Sequence, residues 1–406
     1  MANLERIKAH FDVMRKFTAT PNAGMTRLSY SPEDIKTRNY IKAKMEEYGL
    51  RVWEDGLGNI FGKLAGTIPD APSVLVGSHF DSVPNGGIFD GVAGVVAGLE
   101  VAALFQEQNI QPAYPLEVIA MVEEEGTRFG SGLMGSRGIH GILDKEDFQK
   151  MRDKEGISVA EAMKQAGLDP SQPVHRHPKT MKAFLELHIE QGPVLEKEKI
   201  SLGIVDKIVG MCQLEVTVKG KAGHAGTTPM DMRQDALVVA AKIVAQLPDL
   251  VKNEEKGTVI TTGQLNVYPN GANVIPEKVV FTIDLRSGDE ETMERVLETV
   301  EKFIQAEEKA GINIDIEQKL WVPPKKLNEQ IHHLLQKSAE KLGITYMTMP
   351  SGAGHDAMIF SDFTDTGLIF IPSKNGISHH PDEWSEFEDI ARGIDVLFEA
   401  VKVLTE

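Results

Sequence analysis

The sequence predicts an α/β protein with a smaller α+β domain inserted into it. Before residue 210, apolar segments such as "SVLVGSH", "LEVIAMVEEE" and "AFLELHIE" alternate with helical segments. This alternation is typical of an α/β domain with a parallel or mixed sheet. Beyond residue 210, the predicted order becomes β-α-β-β-α-β, which is the order of a split βαβ, ferredoxin-like unit.

The first domain begins with helices that have recognisable patterns. The segment "MANLERIKAHFDVMRKF" repeats apolar residues on one face, and this periodicity predicts an amphipathic helix. In "SPEDIKTRNYIKAKMEEYGL", Ser31 is a typical N-cap, Pro32 suits the first helical position, and Gly49 marks the end. The segment "GVAGVVAGLEVAALFQEQ" predicts a buried helix of small residues.

The inserted domain is predicted from the elements that follow residue 210. "QLEVTVKG" alternates as a half-exposed strand does, and a helix is expected over about 235–247. Strands at about 257–268 and 277–286, a helix at about 290–310 and the strand "INIDIEQ" complete it. "WVPPKK" is the expected hinge, so the predicted domains are 1–210, 211–325 as the insertion, and 326–406 as the return to the first domain.

Composition excludes several classes of protein. The 406 residues carry a formal net charge of −17, which argues against nucleic acid or an anionic membrane as a partner. The single cysteine, Cys212, leaves no intramolecular disulfide and no zinc-thiolate site, and it fits a reducing compartment. We see no signal peptide and no apolar run of about 18 residues, so the sequence predicts a cytoplasmic protein without a membrane span.

Histidines and carboxylates follow several of the predicted strands. They lie in "GSHFDSVPNGGIFDG", "MVEEEGTRFGSG", "LELHIEQGP" and "GISHHPDEWS". Because open α/β sheets place ligand sites at the carboxyl ends of their strands, we expect these side chains to converge on one crevice. The predicted set is His79, Asp90, Glu125, His188 and His380.

This donor set predicts metal binding. Imidazole and carboxylate without thiolate suit Zn²⁺, Mn²⁺, Co²⁺ or Ni²⁺. Five such side chains exceed the needs of one tetrahedral site, but they suit two metals roughly 3.5–4 Å apart that share a carboxylate. The adjacent Glu124 and Glu125 also make chemical sense, because one can bind metal while the other takes a proton from water.

Each signal also has a purely structural explanation. A glycine-rich loop with aspartate is usually a turn, and three successive glutamates are usually a solvated face. His188 could be a core histidine, and the pair His379–His380 could be a surface feature. Their joint placement after apolar strands favours a metal site.

The same segments carry a family resemblance. Together with "GKAGHAGTTPMDMRQDAL" and "SGAGHDAM", they resemble the amidase/carbamoylase branch of the M20 clan of dinuclear-metal amidohydrolases, over about residues 30–395. The resemblance implies an aminopeptidase-like, mixed-sheet catalytic domain and a ferredoxin-like lid and dimerisation domain. It also implies a homodimer and two divalent metal ions per subunit.

The resemblance implies roles for single residues of the first domain. The predicted set would bind the metals, with Asp90 bridging them and Glu124 acting as general base. Asp81 would orient the imidazole of His79. Of the histidine pair, the family pattern favours His380, the one beside Pro381, over His379.

Further roles concern the substrate. His224 would donate to a developing oxyanion in the partner subunit's active site, and Asn273 offers an amide donor and acceptor. Arg286 presents a fork that matches a carboxylate, although it could instead be a strand-edge arginine paired with Asp284 or Asp289. Gln191 and Gly354 are the other expected substrate contacts.

The activity implied is hydrolysis of the carbamoyl C–N bond of an N-carbamoyl-L-amino acid, a small-molecule substrate. Allantoate amidohydrolase and β-ureidopropionase remain alternatives, because their substrates also carry a carboxylate and a ureido group. A peptidase or aminoacylase of the wider clan is a further alternative. An inactive metal-binding scaffold is disfavoured, because it would have no need of Glu124 beside Glu125.

Overall fold

The computed structural model describes residues 1–172 and 174–406, and the chain divides into two units. Each unit has its own hydrophobic core. The first unit comprises Met1–Asp206, Lys326–Met349 and Ala353–Glu406, and the second comprises Lys207–Lys325 and Pro350–Gly352.

Helices occur in both units. The α-helices are α1 (Leu4–Met14), α2 (Pro32–Glu47), α3 (Val92–Glu107), α4 (Met134–Ile139), α5 (Lys145–Lys150), α6 (Val159–Gln165), α7 (Val194–Glu198), α8 (Ala236–Leu250), α9 (Glu290–Gln305), α10 (Glu329–Leu342), α11 (Asp356–Phe360) and α12 (Phe387–Thr405). Short 3-10 helices lie at Pro178–Thr180, Met230–Met232 and Lys374–Gly376. Within the described residues, no helix combines the length and apolar character needed to cross a membrane.

Strands also occur in both units. They are β1 (Arg51–Glu54), β2 (Ile60–Leu64), β3 (Ser73–His79), β4 (Leu116–Met121), β5 (Met181–Ile189), β6 (Leu202–Ile208), β7 (Gly210–Lys219), β8 (Gly223–His224), β9 (Val259–Thr261), β10 (Leu265–Tyr268), β11 (Val274–Ile275), β12 (Lys278–Ser287), β13 (Asn313–Val322), β14 (Lys325–Lys326), β15 (Tyr346–Ser351) and β16 (Asp365–Ile371).

The first unit is built on the predicted mixed sheet. Its strand order is β1-β2-β4-β3-β5-β16-β6-β14, with β15 also paired to β6. The central strands β4, β3, β5 and β16 run parallel, whereas β1, β2 and β6 make antiparallel pairings. Strands β3 and β4 are buried along their whole length, which explains their nearly continuous apolar sequences.

Helix α3 packs closely against this sheet at Gly94. It is buried from Val92 to Phe105, a segment that is apolar except for Glu100, which pairs with Arg6. A Cβ atom at Gly94 would lie 2.5 Å from the carbonyl oxygen of Leu187 in β5 and 2.5 Å from Cβ of Ser78 in β3. The missing side chain therefore lets the start of α3 approach the carboxyl ends of two central strands.

The second unit has the predicted ferredoxin-like arrangement. Its sheet has the order β10-β12-β7-β13, with β9 paired to β12, and the pairings are antiparallel. Helices α8 and α9 contact β7 and β12. Burial alternates along both strands, so one face is covered and the other is open. The strand predicted over 257–268 forms as two, β9 and β10, which are separated by a short segment containing Gly263.

We expect Gly94→Ala to destabilise the protein although alanine favours helices. The added Cβ meets backbone atoms that cannot move aside, and overpacking of this kind costs about 1–3 kcal/mol. The midpoint of urea-induced unfolding should fall, whereas Gln106→Ala, at an exposed position of the same helix, should leave it nearly unchanged. An equal or higher midpoint for Gly94→Ala would contradict the close approach.

Candidate metal centre

The predicted ligands of the first unit lie at the carboxyl ends of parallel strands. His79 is the last residue of β3, His188 lies near the end of β5, and Glu124 and Glu125 follow β4. The loop after β16 brings His379 to the same edge. This is the edge at which open α/β sheets place their ligand sites.

Both buried histidines turn Nε2 toward Asp90. Nδ1 of His188 lies 2.9 Å from the carbonyl oxygen of Ile189, and Nδ1 of His79 lies 3.3 Å from that of Asp81. A carbonyl only accepts hydrogen bonds, so each Nδ1 carries a proton and Nε2 is the nitrogen left to face Asp90. Nε2 of His188 lies 3.2 Å from Asp90 Oδ1, and Nε2 of His79 lies 3.9 Å from the same oxygen.

The second oxygen of Asp90 faces a different pair of side chains. Asp90 Oδ2 lies 3.1 Å from Nε2 of His379, which is 3.4 Å from Oε2 of Glu125. Asp90 therefore belongs to two groups of donors, one with His79 and His188 and one with Glu125 and His379. One carboxylate oxygen faces each group, which is the arrangement expected of a bridging ligand.

The structure turns His379, and not the predicted ligand His380, toward the donor cluster. Nδ1 of His380 accepts a hydrogen bond from the backbone N–H of Asp382 at 3.1 Å, and it faces that residue's carboxylate. His379 has a positive φ of 56° and is the histidine that reaches Asp90. In an irregular turn, adjacent side chains point in different directions, so the order of two histidines in the sequence does not show which one faces inward.

Asp81 connects the loop after β3 to the loop after β4. Its two carboxylate oxygens accept the backbone N–H groups of Glu124 and Glu125 at 3.1 and 3.2 Å. Its Oδ1 also lies 3.6 Å from Nδ1 of His79. Asp81 thus lies beside the imidazole that it is predicted to orient, and it also fixes the two glutamates.

The carboxylates are crowded and partly unpaired. Burial raises the pKa of Glu124 well above its usual range, and the charge of Glu125 adds to this rise against the opposing effect of His79. Burial together with the charge of Asp90 raises the pKa of Glu125 to about 7. Among the described residues, the buried Oε1 of Glu125 has no hydrogen-bond partner. A buried anion of this kind needs a compensating cation, so the donor set fits divalent metal ions.

Two glycines allow the Asp90 loop to reach this position. Gly91 has a φ of +65°, and a Cβ there would lie 2.3 Å from Cε1 of His79. A Cβ at Gly87 would lie 2.0 Å from Oε1 of Glu383. The glycine-rich composition of "NGGIFDG" is therefore required by close contacts, in addition to the turn.

Glu383 is a residue of the site that the sequence did not reveal. Its buried Oε1 accepts the backbone N–H groups of Phe89 and Asp90 at 3.0 and 3.1 Å. Its Oε2 accepts the hydroxyl of Ser378 at 3.0 Å. Glu383 thereby ties the Asp90 loop to the His379 loop, but in the sequence it is one more acidic residue in a polar turn.

The two substrate contacts predicted in the first unit differ in their surroundings. Nε2 of Gln191 donates to Asp90 Oδ2 at 3.1 Å and to Ser378 Oγ at 3.2 Å. Gln191 therefore contacts the carboxylate of Asp90. A Cβ added at Gly354 would lie more than 4 Å from the other described residues, so the space beside its backbone is open to a ligand.

His224 and Asn273 are neighbours in the second unit. His224 in β8 is paired with Val274 in β11, and the N–H of Ala225 donates to the carbonyl oxygen of Asn273 at 2.9 Å. The N–H of Gly226 donates to Nδ1 of His224 at 3.0 Å. The proton of the neutral imidazole therefore resides on Nε2, which can donate to a ligand.

Arg286 of the second unit is held on two sides. Its Nε and Nη2 donate to the carboxylate of Asp284 at 2.8 and 3.3 Å, which is one of the pairings considered above. Its Nη1 donates to the carbonyl oxygen of Gly352 at 2.9 Å. The guanidinium lines a groove of about 650 Å³ on the open face of the sheet. Within the part of the chain that the structure describes, two of its five N–H groups, one on each terminal nitrogen, have no acceptor.

The sequence matches known proteins over almost its whole length. It matches the family "Peptidase family M20/M25/M40" over residues 75–403. It is 42% identical over 406 residues to an N-carbamoyl-L-amino-acid amidohydrolase from Paenarthrobacter aurescens, covering 99% of this chain and 98% of the relative. It is 40% identical to an allantoate amidohydrolase from Escherichia coli (strain K12), covering 95% of this chain and 94% of that one.

Solved structures also match the chain over almost its whole length. A hydantoinase/carbamoylase family amidase from Burkholderia multivorans superposes with a TM-score of 0.95 at 32% identity, covering 100% of this chain and 98% of that one. The aminopeptidase PepT from Bacillus cereus, with a TM-score of 0.70 and 20% identity over the whole of both chains, shares the fold. The chain is therefore a hydrolase of the M20/M25/M40 peptidase family and belongs to its hydantoinase/carbamoylase amidases.

Proposed function

We propose that this protein hydrolyses N-carbamoyl-L-amino acids to the L-amino acid, CO₂ and ammonia. The observation that carries the proposal is the position of Asp90 between two groups of donors, with Glu124 beside them. Relatives named N-carbamoyl-L-amino-acid amidohydrolase, at 42%, 42% and 40% identity, support this substrate class.

We propose that two divalent metal ions bind each chain. His79, Asp90 and His188 would hold one, and Asp90, Glu125 and His379 would hold the other. Such ions, when bound, act as Lewis acids that polarise a carbonyl and lower the pKa of water. The nitrogen and oxygen donors suit zinc, manganese, cobalt or nickel.

Glu124 is the proposed general base. Its Oε2 lies 3.8 Å from Nε2 of His79, at the edge of the donor cluster, and its raised pKa favours proton uptake. It would accept a proton from the attacking water and deliver it to the leaving nitrogen. Asp81 would keep Glu124 in place through the backbone N–H that it accepts.

Two residues of the second unit are the proposed groups that bind and polarise the substrate. The available N–H pair of Arg286 matches the two oxygens of an α-carboxylate. His224 would donate from Nε2 to the oxyanion that develops on the carbamoyl oxygen, in the active site of a partner subunit. This role requires a homodimer, which we propose to be cytoplasmic.

Hydrolysis of allantoate is a second candidate, because the Escherichia coli relative is 40% identical. A substrate panel separates the two: N-carbamoyl-L-methionine, its D-enantiomer, N-carbamoyl-β-alanine, allantoate and a dipeptide, each assayed with EDTA. EDTA-sensitive ammonia release from the L-carbamoyl substrate alone supports the proposal. Preference for allantoate or the β-alanine derivative would show that the substrate is a different ureido compound. Hydrolysis of the dipeptide alone would show that the protein is a peptidase.

We expect Glu124→Gln to lower kcat by about 10²–10⁴-fold, which is the usual contribution of a general base. The amide cannot accept the proton, but Glu124 belongs to neither donor group around Asp90, so metal content should stay at two per chain. Steady-state kinetics and elemental analysis of the same preparation check both statements. Full activity of the variant would show that another group is the base.

Substitutions of the adjacent residues His379 and His380 provide a matched test of which histidine binds metal. We expect His379→Ala to lose about one metal ion per chain and most of the activity, because one donor group loses its imidazole. His380→Ala should keep both, since His380 contacts Asp382. The comparison is made by measuring metal content after dialysis against a weak chelator. The reverse result would show that His380, and not His379, is the ligand.

A further inference from the structure

Arg286 lies on the open face of the second unit's sheet beside one carboxylate. Asp284 and Arg286 are two residues apart in β12, so both side chains emerge on the same face. The contact is side-on, because Nε and Nη2 of Arg286 donate to Oδ1 and Oδ2 of Asp284. A two-bond contact of this kind fixes the plane of the guanidinium as well as its position.

Asp284 is itself held from the neighbouring strand. Gln213 of β7 is its partner in the strand register, and the amide Nε2 of Gln213 donates to Asp284 Oδ2 at 3.1 Å. The carboxylate is therefore oriented before any ligand arrives. The carbonyl oxygen of Gly352 accepts a third hydrogen bond, from Nη1 of Arg286, and removes the remaining freedom of the guanidinium.

These contacts leave one edge of the guanidinium available. The side-on edge is taken by Asp284, and one N–H of Nη1 is taken by Gly352. One N–H remains on each terminal nitrogen, and these two nitrogens lie at the end of the guanidinium opposite Nε, here called the end-on edge. Their spacing suits the two oxygens of a second carboxylate. A carboxylate can therefore bind Arg286 without displacing Asp284.

We propose that Asp284 is a positioning residue that aims Arg286 at the α-carboxylate of the substrate. The inference rests on the proposed function, in which Arg286 binds that carboxylate. A free arginine side chain has many rotamers, and binding must order them, whereas an arginine already held by Asp284 loses less freedom. Asp284 thus strengthens binding of an anion although it is itself an anion.

The test compares substrates with and without the carboxylate. For Asp284→Asn, we expect KM for N-carbamoyl-L-methionine to rise about 5–50-fold while kcat stays within about threefold, because uniform binding is lost. KM for the α-amide of the same substrate should not change. In an Arg286→Ala background, adding Asp284→Asn should have no further effect on KM, because the two residues act as one unit.

Asp315→Asn is the matched control. Asp315 also lies on this sheet and pairs with a cation of the neighbouring strand, Lys219, but it does not line the groove. The KM of Asp315→Asn for N-carbamoyl-L-methionine should equal that of the wild type. Equal unfolding midpoints for the wild type, Asp284→Asn and Asp315→Asn exclude a general loss of structure.

A binding measurement keeps the inference separate from the proposed function. The dissociation constant of N-carbamoyl-L-methionine, measured by calorimetry without turnover, should rise for Asp284→Asn by a factor similar to that of KM. Unchanged or tighter binding would overturn the inference, as would an equal effect on the carboxylate and amide substrates. If the wild type binds N-carbamoyl-L-methionine but hydrolyses none of the substrates, the proposed function is overturned. The dissociation constants of the wild type and Asp284→Asn then still test the role of Asp284.

Discussion

Buried carboxylates crowd around Asp90, and their mutual repulsion has to be offset before the loops at the strand ends can come together. Backbone N–H groups offset part of it: those of Glu124 and Glu125 reach Asp81, and those of Phe89 and Asp90 reach Glu383. These hydrogen bonds also join loops that are distant in the sequence. The negative charge that remains on Asp90 and Glu125 faces the imidazoles, where a divalent cation would complete the balance.

The fold was largely predictable because its signals are local. Apolar runs marked the central strands, the Ser31–Pro32 pair marked the start of α2, and alternation marked β7. The strand-end rule also placed His79, Asp90, Glu125 and His188 together, because parallel strands bring their carboxyl ends to one edge. In both cases the geometry follows from periodicity and topology, which a single sequence contains.

The features that the sequence did not reveal have the opposite cause. The choice between His379 and His380 depends on one positive φ in an irregular turn, which no periodicity reveals. Glu383 was missed because its partners are backbone N–H groups almost three hundred residues away. The sequence offered Asp284 as one possible partner of Arg286, but the fixed end-on edge depends on Gly352, which lies in a separate segment of the chain.

The strand order has a consequence for synthesis on the ribosome. Strand β16, formed by Asp365–Ile371, lies between β5 and β6 in the sheet, although it is made after all the other strands of the described residues. Until it emerges, β5 keeps an unpaired edge, which is a surface prone to association with other chains. The second unit, complete at Gly352, is made entirely before that point. A nascent chain therefore carries the open edge of β5 from the synthesis of Ile189 until Asp365 is made, and loss of β16 would leave the sheet open between β5 and β6.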